Sequence, residues 1–142
     1  MIKLFKKYRE GFLYLIFGFL VTLINWTVYA VLVSSVGVGI TVSNALAWLV
    51  AIIVAFFTNK FFVFQRKTDK LIDFIREFCA FLGSRVFTAL LEIFLPTLLV
   101  FIGVNGGFWG IDGFWAKFIV NVIVILLNYI LSKLLVFRKE KN

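Results

Sequence analysis

The chain has 142 residues and a formal net charge of +8; it is 63% hydrophobic and 19% aromatic, with no histidine and one cysteine. Soluble domains are roughly half apolar, so this composition excludes an ordinary water-soluble fold, and the lack of histidine removes the commonest metal ligand and general base. The lone Cys79 excludes an intramolecular disulfide and reads as a small residue at a helix start.

In chain order, Lys3, Lys6, Lys7 and Arg9 come first, and then no Lys, Arg, Asp or Glu occurs from Gly11 to Asn59. A membrane span needs about 20 mostly apolar residues, so this run holds two, broken by the turn-like Ser34-Ser35-Val36-Gly37-Val38-Gly39. The first is longer than the roughly 7–15-residue apolar core of a secretory signal and lacks a clear small-x-small site, so an uncleaved helix is expected. Leu71, Ile72, Ile75 and Phe78 then recur with one-sided helical spacing among Lys70, Asp73, Arg76 and Glu77. That pattern predicts a short helix lying in the cytoplasmic interface. A third span is predicted from about Phe78 to Ile102 and a fourth from about Phe114 to Phe137. The expected fold is an all-α membrane protein of four transmembrane helices, with no room for a soluble domain.

Basic residues cluster at the amino terminus, between Lys60 and Arg76, and from Lys133 to Lys141, whereas the connections around Gly37 and Gly106 contain neither Lys nor Arg. The positive-inside rule therefore places both termini in the cytoplasm, with Trp109 and Trp115 in the outer interfacial belt. Charge so arranged points to anionic lipid headgroups rather than nucleic acid.

A segment also occurs twice. Thr58-Asn59-Lys60-Phe61-Phe62-Val63-Phe64 is echoed by Leu131-Ser132-Lys133-Leu134-Leu135-Val136-Phe137. Two hairpins of one orientation follow: a first repeat over 11–64, a connection over 65–77, and a second repeat over 78–137, related as parallel repeats. Aligned on that echo, Asn44 corresponds to Lys117, Trp48 to Asn121, Ala55 to Asn128 and Asn59 to Ser132. In the first helix of each hairpin, Gly18 corresponds to Arg85 and Asn25 to Glu92. Each set falls on one helical stripe.

Arg85, Glu92 and Lys117 are ionisable residues within apolar spans, where a central charge costs about 2.5–3.5 kcal/mol on insertion scales. They are expected to face the bundle interior, a water-filled cavity or each other. A positive, negative, positive ladder suits escort of an anionic headgroup; helix–helix bonding, with Lys117 snorkelling to the outer headgroups, is the simpler reading. Asn25, Asn121 and Asn128 offer amides suited to sugar hydroxyls and equally to interhelical bonds. Lys60 and Lys133 occupy matching helix ends, where a cation is favoured by the dipole and by lipid phosphate, or docks a substrate phosphate. Ala47, Ala51 and Ala55 form a small-residue ridge for close packing within the chain or between protomers.

Taken together, these residues resemble the GtrA-like family of small four-helix membrane proteins. The resemblance is carried by Gly18 and Thr22, Asn44-Ala45, Asn59-Lys60-x-x-Val63-Phe64, Arg85, Ala116-Lys117, and Asn128 ahead of Lys133-x-x-Val136-Phe137. The second copy departs from the first in having Ser132 where the first has Asn59. The family is linked to decoration of O-antigen, arabinogalactan and wall teichoic acid. The resemblance implies movement of a polyprenyl-phosphate-linked monosaccharide to the outer leaflet of the cytoplasmic membrane, for use there by a membrane glycosyltransferase. On that reading Arg85, Glu92, Lys117, Asn25, Asn44, Asn59, Asn121 and Asn128 handle the headgroup, while Lys60 and Lys133 dock the phosphate. A homodimer sharing the pathway would widen the narrow interior of four short helices. Two rivals remain: a non-transporting scaffold that recruits a glycosyltransferase, and a small-molecule exporter, which the internal cations disfavour for cationic cargo. No nucleophile–base pair, phosphate-binding glycine loop, cofactor motif or metal cluster is seen, so no catalytic role, cofactor or metal is assigned.

Overall fold

Each apolar run becomes a helix, because hydrocarbon offers backbone amides and carbonyls no partner but one another. The computed structural model describes residues 2–104, 106–108 and 113–138, with backbone alone for 2–7. Helix α1 runs over Ile2–Ser34, α2 over Ile40–Thr58, α3 over Leu71–Phe101 and α4 over Phe114–Leu131. Both α2 and α4 continue into a π-helical turn, Asn59–Val63 and Ser132–Val136 respectively. All four helices are long and apolar enough to cross a membrane. The protein is thus an all-α, multi-pass membrane protein.

Helix α3 departs from expectation at its start. It runs unbroken from Leu71, so Leu71, Ile72, Ile75 and Phe78 belong to its first turns rather than to a separate short helix over 65–77. No glycine or proline interrupts this stretch, and nothing forces a break before Phe78. At about 1.5 Å per residue, 31 residues extend roughly 46 Å, well beyond a ~30 Å hydrocarbon core. The excess accommodates Asp73, Arg76 and Glu77 at the amino end.

Two glycines end helices where only a left-handed residue can turn the chain. Gly37 (φ 75°) follows α1, and Gly103 (φ 106°) follows α3, where the Val104 amide donates back to the Leu99 carbonyl at 2.9 Å. The chain divides into two compact units, Met1–Lys70 and Leu71–Asn142. Within the first, α1 packs along α2; within the second, α3 packs along α4.

The buried rows of α2 and α4 coincide position for position. Ser43, Ala47, Ala51, Ala55, Asn59 and Val63 are buried in the first unit. Ala116, Val120, Val124, Asn128, Ser132 and Val136, each 73 positions later, are buried in the second. The expected alanine ridge is therefore used within the chain. A row repeating every four residues creeps by about 40° per step around an α-helix. The wider π turn winds it back, bringing Val63, Phe64, Val136 and Phe137 into the interior.

Trp109 lies outside the described residues. Trp115 is exposed, in an aromatic cluster with Phe108, Phe114 and Phe118, with ring centroids 5.2–6.4 Å apart.

Candidate functional site

In the first unit, the π turn sets Asn59 and Lys60 inward. The Asn59 amide nitrogen donates to the Ala55 carbonyl at 2.7 Å, while its buried Oδ1 has no hydrogen-bond partner among the described residues. Lys60 is only 2% exposed. Its ammonium donates to the Thr68 hydroxyl and lies 6.0 Å from the centroid of the Phe56 ring. The chain reaches Thr68 by turning back sharply: Gln65 is left-handed (φ 51°), and the Arg66 amide donates to the Lys60 carbonyl at 2.8 Å. With its amide turned oxygen-first, Gln65 accepts from Arg9 Nη2 at 2.8 Å and Nη1 at 3.1 Å. Asn25 in α1 is partly exposed and Asn44 in α2 is exposed.

In the second unit, three polar groupings lie along α3 and α4. The Thr88 hydroxyl donates across the helix pair to Asn128 Oδ1 at 2.8 Å, and both residues are buried. The Lys117 ammonium donates to Glu92 Oε1 at 3.3 Å, with side chains 52% and 44% exposed. Counted from the level Thr88–Asn128 contact, antiparallel register places Glu92 opposite Val124, about 10 Å along the axis from Lys117. Both long side chains must therefore lean toward each other. Of the surroundings expected for these charges, Lys117 and Glu92 take one another, and Lys117 does not rely on snorkelling alone.

Arg85, half-buried, carries its guanidinium 4.7 Å from the Phe81 ring centroid, and Phe81 in turn lies 6.1 Å from Phe137. Lys133 is exposed; its ammonium donates to the Tyr129 hydroxyl at 3.2 Å and lies 5.5 Å from the ring centroid. Ser132, where the first copy has Asn59, is buried and its hydroxyl has no hydrogen-bond partner among the described residues. Asn121 is partly exposed.

Hydroxyls and amides behave differently within the spans. Thr22, Thr27, Ser34 and Thr58 each donate to a carbonyl one turn back in their own helix, at 2.6–3.1 Å. This needs no neighbour, and lipid tolerates it. Asn25, Asn44 and Asn121 make no side-chain hydrogen bond among the described residues.

Four partners escape a reading of the sequence alone: Thr68 beside Lys60, Phe81 beside Arg85, Thr88 beside Asn128 and Tyr129 beside Lys133. Phe81 and Tyr129 stand four residues before the cations they serve, a spacing that puts them one turn away on the same face. Thr88 and Thr68 carry no such signal.

Residues 13–137 match the model of the GtrA/DPMS transmembrane domain. The cell wall teichoic acid glycosylation protein GtcA of Listeria monocytogenes is 32% identical over 130 residues, covering 92% of this chain and 86% of that protein. GtcA of Listeria innocua is 34% identical, with 91% and 85% covered. The uncharacterized membrane protein YwcD of Bacillus subtilis is 31% identical, with 92% and 98% covered. No solved structure matches the chain. With four spanning helices, polar residues set within them and a family match from the first span to the end of the last, the chain belongs to the GtrA/DPMS transmembrane domain family.

Proposed function

We propose that the protein carries a polyprenyl-phosphate-linked monosaccharide from the inner to the outer leaflet of the cytoplasmic membrane. There a separate glycosyltransferase would use it to decorate a surface polymer such as wall teichoic acid. Both termini then lie on the cytoplasmic side, and the protein itself makes and breaks no covalent bond. The GtcA relatives, named for teichoic acid glycosylation, support the process. The observation that carries the transport step is the set of amides at Asn25, Asn44 and Asn121, which make no side-chain hydrogen bond among the described residues.

Moving a sugar through hydrocarbon strands its hydroxyls at a cost of several kcal/mol per unsatisfied polar group. Amides left unspent by the fold lower that cost by taking the place of water. Arg85 supplies positive charge for the phosphate, and the Glu92–Lys117 pair supplies a further stop that opens by exchanging one anion for another. The prenyl chain stays in lipid throughout.

The test is reconstitution in vesicles with a defined polyprenyl-phosphate sugar, scored for its appearance in the far leaflet. Arg85→Ala and Lys117→Ala should abolish delivery at normal membrane levels. Full delivery by both variants would defeat the reading, and intact glycosyltransferase recruitment without any lipid movement would favour the scaffold.

A further inference from the structure

The duplicated motif suggests two equivalent lysines, yet the two copies differ at one atom that matters. Lys60 and Lys133 occupy the same place in the same π turn, one turn beyond Phe56 and Tyr129 respectively. Those aromatics also correspond, 73 positions apart, and each lies under its lysine. The second copy therefore adds a phenolic hydroxyl where the first has none.

We propose that the lipid phosphate is met by Lys133 with Tyr129 as its positioning residue, and that Lys60 is an internal clamp rather than a second docking cation. This assignment rests on the lipid-phosphate reading above and names the contact within it. Lys60 is sealed: the segment after Gln65 returns over it and engages its ammonium through Thr68. A phosphate would have to displace Thr68 to take its place on that ammonium. Lys133 is exposed at the corresponding place.

Tyr129 holds the cation there: its hydroxyl accepts an ammonium proton and its ring lies beneath the charge. A phosphate oxygen thus meets a lysine already fixed in one place. A flexible lysine without such a tether would lose more rotamer freedom on binding.

The experiment is native mass spectrometry of the full chain in nanodiscs, titrated with polyprenyl monophosphate and, separately, with phosphatidylglycerol. Lys133→Ala should weaken polyprenyl phosphate binding about tenfold, the scale of a charge-assisted hydrogen bond. Tyr129→Phe keeps the ring and makes the second copy like the first. It should weaken binding about threefold, the scale of a neutral hydrogen bond. Its melting temperature and the ionic-strength dependence of binding should stay unchanged, whereas Lys133→Ala should flatten that dependence. Lys67→Ala removes the same charge from the exposed loop and should leave binding within about twofold, below the effect of a single hydrogen bond.

Wild-type affinity in Lys133→Ala would overturn the assignment. So would an equal loss in Lys67→Ala, or phosphatidylglycerol binding that falls with Lys133 as steeply as the carrier lipid's. A protein that binds with the expected pattern but never moves the probe across would keep this assignment and end the transport reading.

Discussion

Replacing Asn128 separates packing from transport more cleanly than any other single change. The Thr88 hydroxyl has one proton and three acceptors within reach: Asn128 Oδ1 at 2.8 Å, the Ser84 carbonyl at 3.1 Å and the Arg85 carbonyl at 3.2 Å. When Asn128 is gone the proton falls back on its own helix, so Thr88 is never stranded. Interhelical bonds of this kind average about 0.6 kcal/mol and reach about 1.7; with a fallback at 3.1 Å the coupling belongs near the lower figure. Asn128→Leu fills the space with an apolar side chain of similar size and should cost under about 1 kcal/mol. The assay is a double-mutant cycle of Asn128→Leu with Thr88→Val, read by reversible unfolding in mixed micelles. A coupling near 0.6 kcal/mol, about a threefold change in the folding equilibrium, is expected. If Asn128 also meets the sugar, the leucine variant loses delivery while staying folded. A coupling above about 2 kcal/mol would refute the reasoning, because it would mean the fallback does not operate.

Three further outcomes follow from the geometry. Glu92→Gln leaves the Lys117 ammonium without its counter-charge and should lower membrane levels and delivery together; exchanging the two residues, Glu92→Lys with Lys117→Glu, should restore levels on an immunoblot while delivery stays low. Gln65→Gly removes a left-handed strain of about 1–2 kcal/mol at the cost of the Arg9 contacts; a net gain of about 1 kcal/mol is expected in denaturant titration, and a loss would show that Arg9 holds the turn. Pro96 has no amide to donate to the Glu92 carbonyl; Pro96→Ala should restore that bond, raise thermal stability and slow delivery, as measured by melting and by the vesicle assay.

What could be read in advance was what depends on composition along one segment: the four spans, the polar positions within them and the kinship of their ends. The first turns of α3 could not be placed, because Leu71, Ile72, Ile75 and Phe78 show the same 3.6-residue period whether the helix lies flat or continues. Lys117 was expected to face the bundle interior, a cavity or another charge; which of these it takes was not legible, since pairing with Glu92 depends on the relative register of α3 and α4, which no one-dimensional pattern contains. The difference between Lys60 and Lys133 was hidden for a similar reason: Thr68 closes over Lys60 only because Gln65 reverses the chain. The π turns left a trace that can be recognised afterwards. A strict four-residue row such as Ala47, Ala51 and Ala55 cannot stay on one face of an α-helix for long, so an unusual turn had to correct it.

Those turns set how the chain leaves its helices. A π turn is what a helix makes of one residue too many, and here the surplus is held at the far end of α2 and again at the far end of α4. Winding either turn as ordinary α-helix at its present length would swing everything beyond it through about 100°. For α2, that would carry Phe64 off the core and throw the return to Thr68 in a different direction. The count of residues, more than their chemistry, thus decides where each hairpin points its exit.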